Sequence, residues 1–214
     1  MTSGPDSQRG AAVLEAIRSR RVVRAMTAEP VGREALETLL DAARWAPTAG
    51  NRHLQRFVAT DDLATLRVLR AVSPGMLQRP TAAITICTDR AAAAGYGFPP
   101  GAPGLFVDVG TAMATLLLAA HAIGVGAGPV TSFSRAAVAV VLQLPEGWRP
   151  ELIVCLGHPA PDTRRPMRGR AGLTWRDLTT WVPPECPTAD SPEPSGQDRG
   201  PGTPPTQTSG PSRA

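Results

Sequence analysis

Apolar and polar positions along the chain change period several times, and each change marks an element. Val13, Leu14 and Ile17 fall on one helical face and predict a short helix over 11–19. Leu36, Leu39, Leu40, Ala43 and Trp45 recur at helical spacing and predict an amphipathic helix over 33–45. Pro47 stops it, because proline lacks an N–H and its ring clashes with the preceding turn. Residues 57–60 read as a strand, Asp61 or Asp62 caps a helix over 62–72, and Ser73-Pro74-Gly75 breaks that helix. Residues 81–88 are β-branched and apolar, the pattern of a strand buried on both faces.

Residues 89–106 carry Gly95, Gly97, Pro99, Pro100, Gly101, Pro103 and Gly104 and read as a long loop, a class that is usually functional or mobile. Residues 107–123 are nearly all apolar, which predicts a helix buried on most sides. Gly124-Val125-Gly126-Ala127-Gly128-Pro129-Val130 leaves that helix along a short strand. A helix over 134–143, ended by Pro145-Glu146-Gly147, and a strand over 151–156 complete the core. Residues 173–182 hold Leu173, Trp175, Leu178, Trp181 and Val182 beyond it; such an arm either docks on a partner subunit or packs back on its own core. Helices alternating with a few apolar strands predict an α/β or α+β domain.

Composition sets the limits of that domain. Residues 1–9 and 183–214 are poor in large apolar side chains, and the second stretch is dense in Pro, Gly, Ser and Thr. Such segments bury too little apolar surface to offset their ordering entropy, so both are expected to be disordered around one folded domain over 10–182. The formal net charge is +4, from 22 basic against 18 acidic residues, and the basic side chains are arginines without a long run. That balance argues against a nucleic-acid partner. Cys87, Cys155 and Cys186 have neither metal spacing nor a disulfide framework, and the N-terminus has no signal-peptide pattern. A reduced, cytoplasmic protein without a metal is the expectation. The apolar run around 113–123 is interrupted by Thr115 and His121 and is too short to span a membrane. No Gly-x-Gly-x-x-Gly follows a strand, and no phosphate-binding loop of the nucleotide-hydrolase kind is present. Ser132 and Ser134 lack a nucleophile elbow, and His121 inside the apolar helix reads as a satisfied core histidine.

Two stretches carry candidate chemistry. Arg20-Arg21-Val22-Val23-Arg24 places three guanidinium groups within five residues. It is either a solvated surface turn or a cradle for a phosphate, which guanidinium binds bidentately at any physiological pH. Ala46-Pro47-Thr48-Ala49-Gly50-Asn51-Arg52-His53-Leu54-Gln55-Arg56-Phe57 joins an amphipathic helix to a strand through a polar turn. It is either an ordinary connection or a lining of N–H groups and short polar side chains for a planar ligand.

In order and spacing, these pieces resemble the nitroreductase family of flavoproteins. The first stretch is similar to the family's Arg-Arg-Ser-x-Arg-x-Phe, and the second to Ala-Pro-Ser-x-x-Asn-x-Gln-Pro-Trp-x-Phe. Asp108-Val109-Gly110, Leu116-Leu117-Leu118-Ala119-Ala120 and Gly124-Val125-Gly126 resemble the family's central helix and its exit. Leu144-Pro145-Glu146-Gly147 and the stretch 153–159 resemble its last helix end and strand. The resemblance covers 17–167. It implies an α+β fold with a central, mostly antiparallel sheet flanked by helices, and a C-terminal arm extending onto a partner subunit. It also implies a homodimer that binds FMN at the subunit interface, a small-molecule substrate, and NAD(P)H as electron donor. Residue by residue, it places Arg20 and Arg24 at the flavin phosphate and Arg21 against the flavin through its backbone. Arg164 or Arg165 closes on the phosphate; Pro47, Thr48, Ala49 and Asn51 line the ring; Pro129, Val130 and Thr131 face its other side. Flavin carries the chemistry, so no protein nucleophile is implied.

The departures from the family pattern are local. Val22 replaces the phosphate-binding Ser, and His53-Leu54-Gln55 stands where Gln-Pro-Trp is usual. His53 is therefore either a pocket hydrogen-bond donor or an exposed loop histidine, and Thr131 is the other pocket candidate. Ser73-Pro74-Gly75-Met76-Leu77, Cys87-Thr88-Asp89-Arg90 and Gly128-Pro129-Val130-Thr131-Ser132-Phe133 also resemble the flavin subunit of cyclodipeptide oxidases. That likeness implies Cα–Cβ dehydrogenation of diketopiperazines, oxygen as acceptor and a small second subunit. A non-catalytic flavin-binding protein is the remaining alternative.

Overall fold

The computed structural model describes residues 5–161 and 174–182. The chain divides into two units, Met1–Arg164 and Arg165–Ala214. In the first, β1 (Gln55–Thr60), β2 (Ala82–Asp89), β3 (Gly126–Val130) and β4 (Trp148–Gly157) form one sheet in the order β1-β2-β4-β3. All three pairings are antiparallel, with Phe57 opposite Ile86, Ile84 opposite Val154, and Pro129 opposite Val154. Around the sheet lie α1 (Pro5–Ser19), α2 (Arg33–Ala43), α3 (Leu63–Ala71), α4 (Arg90–Gly95), α5 (Pro103–Ala122) and α6 (Arg135–Val141). This is the α+β arrangement implied by the resemblance.

Both faces of the central strands are buried, and the period of two along each strand decides which residue meets which layer. Ala82, Ile84 and Ile86, with Leu152, Val154 and Leu156, pack against Leu36 and Leu39 of α2 and Val109, Ala112 and Leu116 of α5. Ala83, Ile153 and Cys155 point the other way, onto Leu66 and Leu69 of α3 and Val138 of α6. Each fully buried Leu or Ile contributes about 1.5–3 kcal/mol. A polar clamp ties the second layer to the sheet. The buried Glu151 carboxylate receives Arg135 of α6 at 3.2 Å, Arg149 at 3.3 Å and the Thr88 hydroxyl at 3.2 Å. Between Asp61 and Asp62, the latter is the cap of α3: its Oδ2 accepts from Thr65 N and Thr65 Oγ1, both at 2.7 Å. Hydrogen bonds from the Thr65 hydroxyl and amide hold its carboxyl below the usual carboxylate range.

Several sequence-based expectations need correction. α1 begins at Pro5, so residues 5–9, expected to be disordered, form the first turns of a helix. Its apolar face is exposed: Val13, Leu14 and Ile17 are 59 %, 52 % and 52 % accessible. The glycine- and proline-rich stretch 89–106 is not one loop, because it contains α4 and the first turn of α5, with Pro103 in that first turn where a missing N–H costs nothing. Trp45 lies beyond the end of α2, 71 % exposed, with the Arg44 guanidinium stacked over its ring at 4.3 Å. α5 is not buried on most sides. Its 20 residues match a membrane span in length and composition, yet only 39 % of its most apolar window is buried. One face packs on the sheet, and Phe106 and Val107 on the other are 45 % and 63 % exposed.

In the second unit, Trp175–Leu178 form one 3-10 turn closed by a capping box. Thr174 N and Thr174 Oγ1 donate to Asp177 Oδ2 at 2.6 and 2.8 Å, and Trp175 meets Trp181 edge to face at 6.4 Å.

Cys87 and Cys155 are free and buried in the sheet. Burial pushes both thiols up to about 12, helped at Cys87 by the adjacent Glu151 carboxylate. In the native protein at pH 8 these two cysteines are expected to resist a thiol reagent and to react only on unfolding. Because an unfolded thiol ionises near 9.0 and the folded ones near 12, they also predict a loss of stability as pH rises from about 9 towards 12. Thiol titration and urea midpoints across that range check both.

Candidate functional site

The arginine segment takes its position from glycines. After α1 the chain runs extended along the free edge of β3, where Val23 N donates to Ala127 O at 3.0 Å. Farther on, Thr27 N donates to His158 O at 2.9 Å, and Met26 bridges to Pro159. The approach is close enough to require glycine at two positions of β3. A Cβ on Gly126 would stand 2.9 Å from Val23 Cγ1, and one on Gly128 would stand 2.8 Å from Val23 O. Pro129 costs the sheet nothing at this edge. The Gly-x-Gly pattern is thus a flat seat for the arginine segment.

That seating creates a cleft of 220 Å³ lined by Arg20, Arg21, Leu117, His121, Gly124 and Pro159, among others. Arg20 is half-buried, and among the described residues its Nη1 is buried without a hydrogen-bond partner. A desolvated guanidinium N–H left unpaired costs about 1–3 kcal/mol or more, so the geometry calls for a hydrogen-bond acceptor. The Arg21 guanidinium is otherwise engaged, donating from Nη1 to Arg18 O at 2.6 Å and Arg20 O at 2.9 Å at the end of α1. His121 is not the core histidine expected; it is exposed at the last turn of α5, its Nε2 3.0 Å from Ser19 Oγ. Arg24 is half-buried on the same extended segment but does not line the cleft.

The second stretch forms a 3-10 turn, Ala49–Asn51, between α2 and β1. Gly50, Asn51 and His53 have φ of 57°, 53° and 50°, left-handed values that cost about a kcal/mol or more for non-glycine residues. α5 holds the turn from outside. The buried Asp108 accepts from Ala49 N through Oδ1 at 2.9 Å, and the Thr111 hydroxyl donates to Pro47 O at 2.8 Å. Inside the turn the Thr48 hydroxyl accepts from His53 N at 3.2 Å, and His53 Nε2 lies 2.9 Å from Asn51 Oδ1. Asn51 and His53 are exposed, whereas Leu54 and Gln55 are buried.

The structure brings Arg20 and Arg21 together with His121 and seats them beside β3. It sets Thr131 exposed, Pro129 half-buried and Val130 2 % exposed in the core, so only the backbone of Val130 is open to a ligand. It does not bring the Pro47–Asn51 turn to the arginines within one chain. The turn is tied to Asp108 and Thr111, the cleft to Leu117 and His121. Thr111 and His121 lie about 15 Å apart along α5 at the helical rise. Arg164 and Arg165 lie outside the described residues. Asp108 entered the sequence analysis only within the central-helix stretch and Thr111 not at all, although Asp108 is the one carboxylate in Pro103–Ala122. Among the described residues, no group of three or more His, Cys, Asp or Glu is placed to hold a metal ion.

Known proteins share this architecture. The nitroreductase family model matches residues 17–158. A Methanothermobacter thermautotrophicus protein with the provisional name NADH dehydrogenase/NAD(P)H nitroreductase is 31 % identical over 161 residues, covering 71 % of this chain and 81 % of its own. The 5,6-dimethylbenzimidazole synthase of Rhodobacter capsulatus is 28 % identical over 196 residues, 79 % of this chain and 94 % of its own. The structure of an FMN-dependent nitroreductase from Clostridium difficile superposes with a TM-score of 0.63 at 20 % identity, over 78 % of this chain and 97 % of the other, and shares its fold. With the family's stretches in order on an antiparallel sheet between two helical layers, this chain belongs to the nitroreductase family and is an oxidoreductase of that family.

Proposed function

We propose that the protein is an FMN-dependent oxidoreductase that works as a homodimer, with each flavin held by residues of both copies. The buried, partnerless Nη1 of Arg20 in its cleft carries the reading. A phosphomonoester brings about −2 charge at neutral pH and acceptor oxygens that such a donor requires. Arg20 would hold the phosphate, with Arg24 and Arg164 or Arg165 as further cationic partners and the backbone of Arg21 alongside. The fit lacks one hydroxyl, because Val22 stands at the Ser position.

The dimer follows from α5. A largely apolar helix buries one face on its own sheet and leaves Phe106 and Val107 in water, and α1, which touches it, leaves Val13, Leu14 and Ile17 exposed as well. A second copy covering this surface would bring its Pro47–Asn51 turn to the Arg20 cleft, uniting parts that one chain holds at opposite ends of α5. In that pocket Thr48, Ala49 and Asn51 would line one side of the ring and Pro129 to Thr131 the other. Burial there would exclude water, and His53, Thr131 and His121 would be the side chains able to orient a substrate. When bound, FMN supplies hydride transfer between NAD(P)H and a small organic acceptor such as a nitro compound or quinone.

The visible spectrum of the purified protein tests the cofactor: flavin bands are expected, and a colourless protein without affinity for added FMN overturns the reading. Arg20→Gln is expected to weaken FMN at least about tenfold in a fluorescence titration while leaving the fold intact. Val107→Glu places a charge on the exposed α5 face, and sedimentation is expected to show loss of the dimer together with loss of flavin. Asp108→Ala frees the Ala49 N–H and is expected to weaken FMN by about tenfold, with Asp108→Asn, which keeps an acceptor oxygen, restoring most of the affinity.

A further inference from the structure

A second cleft, of 320 Å³, lies at the other helical layer. It opens between α3, the segment following the arginines, and the turn into β2. Met26, Leu63 and Leu66 give it an apolar floor, and Arg67, Arg70 and Arg79 stand at its walls. It shares no lining residue with the Arg20 cleft.

Its charge is one-sided. From Leu63 to Thr81 the chain has three arginines and no acidic residue. Arg67 and Arg70, three apart on α3, project on one side of the helix, and Arg79 reaches the same cleft from the loop before β2. All three are exposed, and among the described residues none of their guanidinium groups has a hydrogen-bond or ion-pair partner. Two acids close by have other contacts. Asp62 caps α3, and the Glu29 carboxylate faces His158 at 4.0 Å. Three like charges kept together without a counter-charge repel one another, and a bound anion relieves that repulsion while taking up planar, bidentate donors. The apolar floor adds a second requirement. Inorganic phosphate alone would leave the exposed Leu63 and the half-buried Met26 in water, and an uncharged apolar molecule would leave the arginines unmatched. The volume sits at the lower end of the range for small-molecule sites.

We propose that this cleft binds a small amphiphilic anion, its apolar body on Met26, Leu63 and Leu66 and its carboxylate or phosphate held by Arg67, Arg70 and Arg79. The site is independent of the flavin reading, since it uses the opposite layer and other residues.

Calorimetric titration of the full-length protein with octanoate and octyl phosphate tests it, with 1-octanol and inorganic phosphate as single-feature controls. Both amphiphiles are expected to bind, more weakly at high salt, and each control at least about tenfold more weakly. Arg67→Gln with Arg70→Gln is expected to weaken the amphiphiles at least about tenfold, with thermal melting and FMN affinity unchanged because both side chains are exposed. A preference between the two amphiphiles identifies the natural head group and supports the site either way. Failure of both amphiphiles to bind, 1-octanol or inorganic phosphate binding as tightly, undiminished affinity in the double variant, or displacement of the amphiphile by FMN would each overturn it.

Discussion

The fold depends on burying both faces of β2 and β4. Their side chains alternate between two layers with no polar row to turn to solvent, so neither layer of helices is dispensable. α2 and α5 cover one face, α3 and α6 the other, and the Glu151 clamp fixes α6 in place at the sheet. The edges are treated differently from the centre. β3 is short, rich in glycine and carries Pro129, so it adds little packing of its own, and its free side receives the extended arginine segment. The two clefts follow from this division, since each lies where a segment crosses from one layer towards the other.

Much of the fold was legible because two-sided burial leaves a strong signature. The apolar, β-branched runs of β2 and β4 and the helical spacing of Leu36, Leu39 and Leu40 marked their elements. α4 was not legible, because Ala91 to Ala94 have no apolar periodicity and are flanked by glycine and proline. The extent of α5 was missed at its start for the same reason. Its partial exposure was missed because hydropathy reports what a helix can bury, not whether one chain suffices to bury it.

The candidate site was legible in its parts. Arg20 and the 46–57 stretch stood out by composition, but their separation along α5 has no trace in sequence spacing. His121 was misjudged because an apolar neighbourhood in sequence is not an apolar neighbourhood in space: it occupies the last turn of α5, where the helix leaves the core and Ser19 meets its ring. Trp45 errs in the same way, two residues past a helix end that the periodicity does not show.

The turn before β1 has a further consequence. Its left-handed path at Gly50, Asn51 and His53 is held by Thr48 within the stretch and by two anchors outside it, Asp108 and Thr111 on α5. Shape and identity are therefore partly separable there: the helix beneath shares in setting the backbone contour, and the exposed side chains are the ones free to differ. A departure at the exposed His53 changes what the loop offers to a visitor, whereas Leu54 and Gln55, buried beneath it, help to fix where the loop stands.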